Sequence, residues 1–234
     1  MTRAGATTSC AEPGGQPDHL YRDVSEELAE AGMVSFRYDK RGTGQSPLPA
    51  GERLAFEDLA GDARAGVDLL AERSEVDPEA LAVVGHDEGA LLAMRLAASD
   101  PRVRTLVLIS APGRPLVDVI ADDFRATHGE ASAGTLREIV AGLMATGGLP
   151  RPDSLPPEHR DFFPADQAPY LREIFSVDPA ADAGAVRVPA LVVHGGRATF
   201  STAVDAARLV EALGPHGEAV VAADAGPTLA RTRA

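Results

Sequence analysis

The residues best placed by type and spacing to do chemistry are Gly85-His86-Asp87-Glu88-Gly89. They follow the apolar run Leu81-Ala82-Val83-Val84 and precede Ala90-Leu91-Leu92-Ala93-Met94-Arg95-Leu96-Ala97, which has helical character. Small residues two before and two after Asp87 let a strand turn sharply into a helix, with the central side chain thrust outward. A carboxylate in that position has two kinds of chemistry. It can attack carbon and form an ester, or it can accept and return a proton. The helix N-terminus behind it favours the anion, whereas an apolar covering raises its pKa. Glu88 adds a second carboxylate. His86 adds an imidazole, whose ordinary role is to pack beneath the turn.

Other candidates are more scattered. His194 ends the apolar run Ala190-Leu191-Val192-Val193, and open α/β sheets bind ligands at the C-terminal ends of their strands. A strand-end histidine bonded to backbone is the plainer role for it. Cys10 is a thiol that two nearby carboxylates would keep protonated, which makes it a small structural residue before a nucleophile. Tyr170 lies in a helical stretch with Ile174 and Phe175. His19, His128, His159 and His216 form no pair with metal-ligand spacing, and Gly195-Gly196 lacks a dinucleotide fingerprint. No metal and no cofactor is expected.

The elements that must position these residues can be read from the rest of the chain. Its 234 residues suffice for one sizeable α/β domain. A net charge of −13 argues against nucleic acid or an anionic membrane as partner. The single cysteine excludes an internal disulfide framework. With no apolar run of about 18 residues and no leader pattern, the cytoplasm is the expected compartment. Leu20, Tyr21, Val24 and Leu28 recur at helical spacing, and Gly32 stops that helix. Met33 to Tyr38 reads as a strand and Asp39 to Ser46 as a glycine-rich loop. Phe56, Leu59, Ala63, Val67 and Leu70 mark a second helix, Leu81 to Gly85 a buried strand, and Val103 to Ser110 another. This alternation predicts an α/β fold, a doubly wound and mostly parallel sheet with right-handed crossovers. From Ala111 to Arg187 only helical runs occur, broken by Pro- and Gly-rich turns, which predicts a helical cap inserted between core segments 1–110 and 188–234. The sheet resumes at Ala190. A helix from Ser201, its expected N-cap, to Leu213 follows, and then a short strand, Ala219 to Ala222.

Taken together, these stretches resemble the α/β-hydrolase fold family, in the branch whose turn reads Gly-His-Ser-Glu-Gly-Ala-Leu-Leu-Ala, the family's nucleophile elbow. The resemblance covers about Gln16 to Leu229 and includes the loop Arg37-Tyr38-Asp39-Lys40-Arg41-Gly42-Thr43-Gly44-Gln45-Ser46 and the Val188-Pro189 pair before the later strand. It implies a nucleophile at Asp87, where the family has Ser. It implies an acid at Ala198, after Gly195-Gly196-Arg197, and a histidine at Pro227, within Ala225-Gly226-Pro227-Thr228-Leu229. All three triad positions are therefore replaced. The family's strand between Met33–Tyr38 and Leu81–Gly85 has no apolar counterpart in sequence order. Arg3 to Ser9 is expected to run extended into that gap, which would place Cys10-Ala11-Glu12 at the oxyanion loop. The family's first two strands have no counterpart, so the fold is expected to be N-terminally shortened.

Three functions fit these residues. Asp87 could serve as general acid/base, with His194 near it, in a cyclisation, elimination or isomerisation of a small apolar molecule, with His86, Glu88, Cys10 and Tyr170 binding it. The chain could instead be a catalytically silent member that binds a ligand or partner. Asp87 could also be the nucleophile of an epoxide-hydrolase-type reaction, although no histidine stands ready to release the ester and no Trp is present for a halide. Altered, non-hydrolytic chemistry is the reading adopted. Self-association into a homo-oligomer is left open.

Overall fold

A computed structural model describes the backbone of Thr2–Ser9 and the whole of residues 20–229. The chain runs through β1 (Thr2–Ser9), α1 (Leu20–Glu30), β2 (Val34–Asp39), α2 (Phe56–Ala71), β3 (Val76–His86), α3 (Glu88–Ser99) and β4 (Val103–Ile109). Five helices follow: α4 (Leu116–His128), α5 (Glu130–Thr146), α6 (Pro157–Arg160), α7 (Ala168–Phe175) and α8 (Pro179–Ala185). The sheet is completed by β5 (Ala190–Gly195), α9 (Ala203–Leu213) and β6 (Gly217–Ala222). The strand order is β2-β1-β3-β4-β5-β6, and every pairing is parallel.

The first described strand, β1, lies inside the sheet; the chain then steps to one edge at β2 and crosses back to β3. The direction of winding therefore reverses between β1 and β3, and open α/β sheets place ligands at such a switch. As expected, the polar segment after Met1 fills the gap. Ala4 pairs with Val34 on one side and Leu81 on the other, and the ladder continues to Ser9 opposite Asp39. An unfilled gap would leave two rows of backbone groups unpaired. Cys10, Ala11 and Glu12, assigned to the oxyanion loop, and His19 lie outside the described residues.

The core forms where the periodicity puts it. α2 buries Phe56, Leu59, Ala63, Val67 and Leu70, and α3 buries nearly its whole first three turns. Each large side chain so buried contributes roughly 1.5–3 kcal/mol. From Ala111 to Arg187 the chain is helical and turn-rich among the described residues, without a strand. Its last helix, α8, packs against α3 and α9, on the sheet side. The insertion is pinned over the core by Glu173 of α7, whose Oε2 accepts from the Phe56 N–H at 2.6 Å. That carboxylate caps α2 from outside and thereby fixes where α7 sits. One boundary differs from expectation. α9 is capped by Thr202, in a reciprocal box with Asp205, and not by Ser201. Ser201 is 1 % exposed and its hydroxyl is directed to the Ser110 carbonyl, 2.5 Å away. Among the described residues no helix is long and apolar enough to cross a membrane.

Candidate active site

Asp87 lies between the end of β3 and the start of α3 with φ 52° and ψ −118°. Few non-glycine residues adopt such a backbone, and holding one there costs on the order of 1–3 kcal/mol. Its neighbours keep the turn in place. A Cβ on Gly85 would come within 2.6 Å of Ala90 Cα and 2.7 Å of Ala93 Cβ, so only glycine lets β3 and α3 approach so closely. The Asp87 N–H is held by the Ile109 carbonyl at 3.0 Å, and its own carbonyl accepts from Ala90. The Asp87 side chain does not cap α3.

Above the turn is a cavity of about 610 Å3 whose wall includes Lys40, Leu48, Leu54, Asp87, Glu88 and Tyr170. β2 delivers Lys40 directly after its last residue, β3 and α3 deliver the two carboxylates, and α7 delivers Tyr170 from the cap. Lys40 Nζ lies 3.2 Å from Glu88 Oε2, with both side chains about four-fifths buried. The other oxygen, Glu88 Oε1, is buried with no hydrogen-bond partner among the described residues. Arg41, Glu52, Arg53 and Asp166 also line the cavity and add charge. Arg41 is turned to Asp62 by two bonds of 3.0 and 2.7 Å, and the Asp62 carboxylate raises its already high pKa.

Of the residues singled out by sequence, Asp87, Glu88 and Tyr170 meet in this cavity. The two histidines do not line it. His86 is buried beneath the turn. Its Nε2 lies 3.2 Å from the Pro227 carbonyl, which can only accept, so Nε2 carries the proton. Nδ1 therefore accepts from the Tyr21 hydroxyl at 2.8 Å. Both ring nitrogens are engaged, and the imidazole is a strut.

His194 is fully buried at the end of β5. The Ser201 hydroxyl spends its proton on the Ser110 carbonyl and so receives the His194 Nε2–H at 3.2 Å. Burial pushes the His194 pKa down, against the opposing pull of the Asp205 charge. Sequence placed His194 near the pocket because it ends a strand. The strand does end at the same edge of the sheet as the cavity, but the side chain is buried in packed protein.

Two contributors were not singled out. Lys40 satisfies the strand-end rule that drew attention to His194, since it follows β2 directly. Ser110, with φ 47°, is a second strained residue, at the end of the adjacent strand β4. Its hydroxyl donates to the Pro227 carbonyl at 2.5 Å. Pro227 thus gathers His86 and Ser110 and seats the loop after β6 against the elbow. Gly195 permits this, because a Cβ there would lie 2.5 Å from the Ala225 carbonyl oxygen. No signal in a single sequence marks a backbone carbonyl for such a role. Among the described residues no group of three or more His, Cys, Asp or Glu is placed to hold a metal ion.

A parallel sheet of this order, with an elbow at the end of a central strand and a helical insertion above it, defines the α/β-hydrolase fold. The chain belongs to the family Hydrolase_4, described as serine aminopeptidase S33, whose pattern matches residues 16–167. It is 28 % identical over 181 residues to the esterase EstD of Thermotoga maritima, covering 77 % of this chain and 42 % of that protein. Over 89 residues it is 37 % identical to the putative carbamate hydrolase RutD of Variovorax paradoxus, covering 38 % of this chain and 31 % of that one. The chain therefore spans less than half the length of these curated relatives. Among solved structures, the enol-lactonase from Burkholderia xenovorans superposes with a TM-score of 0.58 at 24 % identity, covering 94 % of this chain and 83 % of that one. An esterase from Pyrococcus furiosus superposes with a TM-score of 0.67 at 19 % identity, covering 97 % and 75 %. At these identities the superpositions establish the fold.

Proposed function

We propose that the cavity over Asp87 is the active site of an enzyme of altered, non-hydrolytic chemistry, in which Asp87 acts as general acid and base on a small molecule. The observation that carries this reading is the Asp87 backbone. A carboxylate is held at φ 52° in the wall of a cavity, at the N-terminus of a helix, without capping that helix. Strain of that kind gathers at functional sites. Leu48, Leu54 and Tyr170 suit the apolar body of a ligand, and Lys40 suits a developing oxyanion. Asp87 takes a proton from carbon beside a carbonyl. The electron pair moves to the carbonyl oxygen near Lys40, and Asp87 returns the proton at a second carbon or to a leaving oxygen. The replaced acid and histidine positions, Ala198 and Pro227, support a reaction that needs no activated water.

The test is deuterium exchange followed by NMR. With small cyclic ketones and enol ethers in D2O, the protein exchanges protons beside the carbonyl, and Asp87→Asn slows this about 10²–10⁴-fold. Exchange unchanged in a folded Asp87→Asn variant would refute the role of Asp87.

The names of the relatives favour a second reading, hydrolysis, which here would run through Asp87 as nucleophile. The carboxylate would attack an epoxide carbon and break its C–O bond, the alkoxide taking a proton from solvent, and water would then cleave the resulting ester at the Asp87 carbonyl. A single turnover of an epoxide in 18O-water would leave label in the Asp87 carboxylate. Without label there, this second route fails and acid/base chemistry stands.

A further inference from the structure

We propose that the protein is a homodimer joined edge to edge through β6. This strand ends the sheet, paired with β5 on one side and with no described strand on the other. Val220 and Val221 are 52 % and 47 % exposed, and because they are consecutive they project to opposite faces. Proteins protect such edges with lysine, proline, a bulge or a covering element. β6 carries a single charge, Glu218, near its start, has neither lysine nor proline, and keeps an unbroken register with β5.

The occupant is a second copy because the strand is complementary to itself. A two-fold axis perpendicular to the sheet keeps each face continuous, so directly opposed residues must project to the same face. Only registers in which one residue opposes itself satisfy this. Centring on Val221 leaves only Val220 and Ala222 opposed within the strand, because β6 ends at Ala222. Centring on Val220 opposes Ala219 with Val221 and Glu218 with Ala222, and no charges meet. The flank agrees. α9 packs on β6 and carries exposed Val204, 57 % exposed, together with exposed Arg208 and Glu211. Neither Arg208 nor Glu211 has an ion-pair partner among the described residues. The same axis lays α9 antiparallel to its copy, which lets Arg208 of each reach Glu211 of the other. A stable dimer buries at least about 1,200 Å2 in total, more than a six-residue ladder provides, so the α9 flank is part of the interface.

Analytical ultracentrifugation of the full chain tests this, with a mass near twice 24.3 kDa expected at micromolar concentration. Val220→Lys sets two ammonium groups against each other and weakens association roughly a hundredfold. Arg208→Glu weakens it less, and Arg208→Glu with Glu211→Arg restores it. The register is tested in a Cys10→Ser background, where Val220→Cys forms an intermolecular disulfide on oxidation and Val221→Cys does not. A monomer at 200 µM, a dimer untouched by Val220→Lys, or equal cross-linking at both positions would overturn the proposal. A monomer whose β6 amides resist hydrogen exchange would likewise overturn it and assign the edge to another segment.

Discussion

Asp87 and Asp205 are both aspartates at the start of a helix behind a parallel strand, and they are treated in opposite ways. Asp205 is fully buried and surrounded by donors. It accepts from Arg114 at 3.0 and 3.2 Å, from the Gly113 N–H at 3.1 Å and from the Thr202 N–H at 3.0 Å. Burial alone would push its pKa up, but Arg114 and the two N–H groups together outweigh that and hold it down. Its backbone is ordinary helix. Asp87 has a strained backbone, does not cap its helix, and faces a cavity. The first carboxylate ties the loop after β4 to α9 and stabilises the fold. The second lies in the wall of a cavity, on a backbone whose strain costs stability.

The largest expected effect is therefore at Asp205. Asp205→Ala leaves Arg114 without its main partner in a mostly buried position and strips two N–H groups of their acceptor. Breaking a buried pair on one side costs about 3–5 kcal/mol. Urea unfolding at pH 7 should show that loss, and a loss below 1 kcal/mol would mean that water replaces the carboxylate. The pH dependence follows in sign. A depressed carboxylate contributes stability above its unfolded pKa of about 3.9 and loses it as pH falls through the folded value. The difference between wild type and variant should shrink toward acid.

Next is the turn itself. Gly85→Ala places a methyl within 2.6 Å of the α3 backbone, which must move. Overpacking of this kind costs typically 1–3 kcal/mol. Asp87→Gly should act in the other direction. It removes the strain of φ 52° and is expected to raise stability by about 1 kcal/mol while abolishing the proton exchange proposed for Asp87. If Asp87→Gly instead destabilised the protein, the contacts of the Asp87 side chain would outweigh the strain of its backbone, and the contrast between the two would fail.

How much of this was legible differs between the two regions. The elbow announced itself through Gly85 and Gly89, because a close strand–helix approach admits no Cβ, and that requirement leaves a mark in sequence. The parallel sheet followed from alternating apolar runs. The place of Arg3–Ser9 came from elimination, since Arg-Ala-Gly-Ala-Thr-Thr-Ser carries no apolar pattern of its own. The Asp205 hub was not legible. Arg114, Ser110, His194, Ser201 and Asp205 are polar residues far apart in sequence, and only the folded chain shows that they satisfy one another. His194 was drawn to the pocket by the strand-end rule, which fixes where a backbone ends and says nothing of where a side chain points. Lys40 obeys the same rule and does reach the cavity.

The smallest expected effect probes the link between Asp205 and its neighbour His194. Burial lowers the His194 pKa in the folded protein, while in the unfolded chain it titrates near 6.5. Between those values the unfolded state binds the extra proton, so stability falls as pH drops from about 7 and levels off once pH is below the folded value. His194→Gln keeps a donor for Ser201 but cannot titrate, and the urea midpoint between pH 7 and 5 should then fall less steeply than in wild type. The two slopes would match only if the Asp205 charge had restored the His194 pKa to its unfolded value. In that case the hub would hold an imidazolium–carboxylate pair, and Asp205→Ala would steepen the pH dependence where the neutral-histidine arrangement predicts a smaller change.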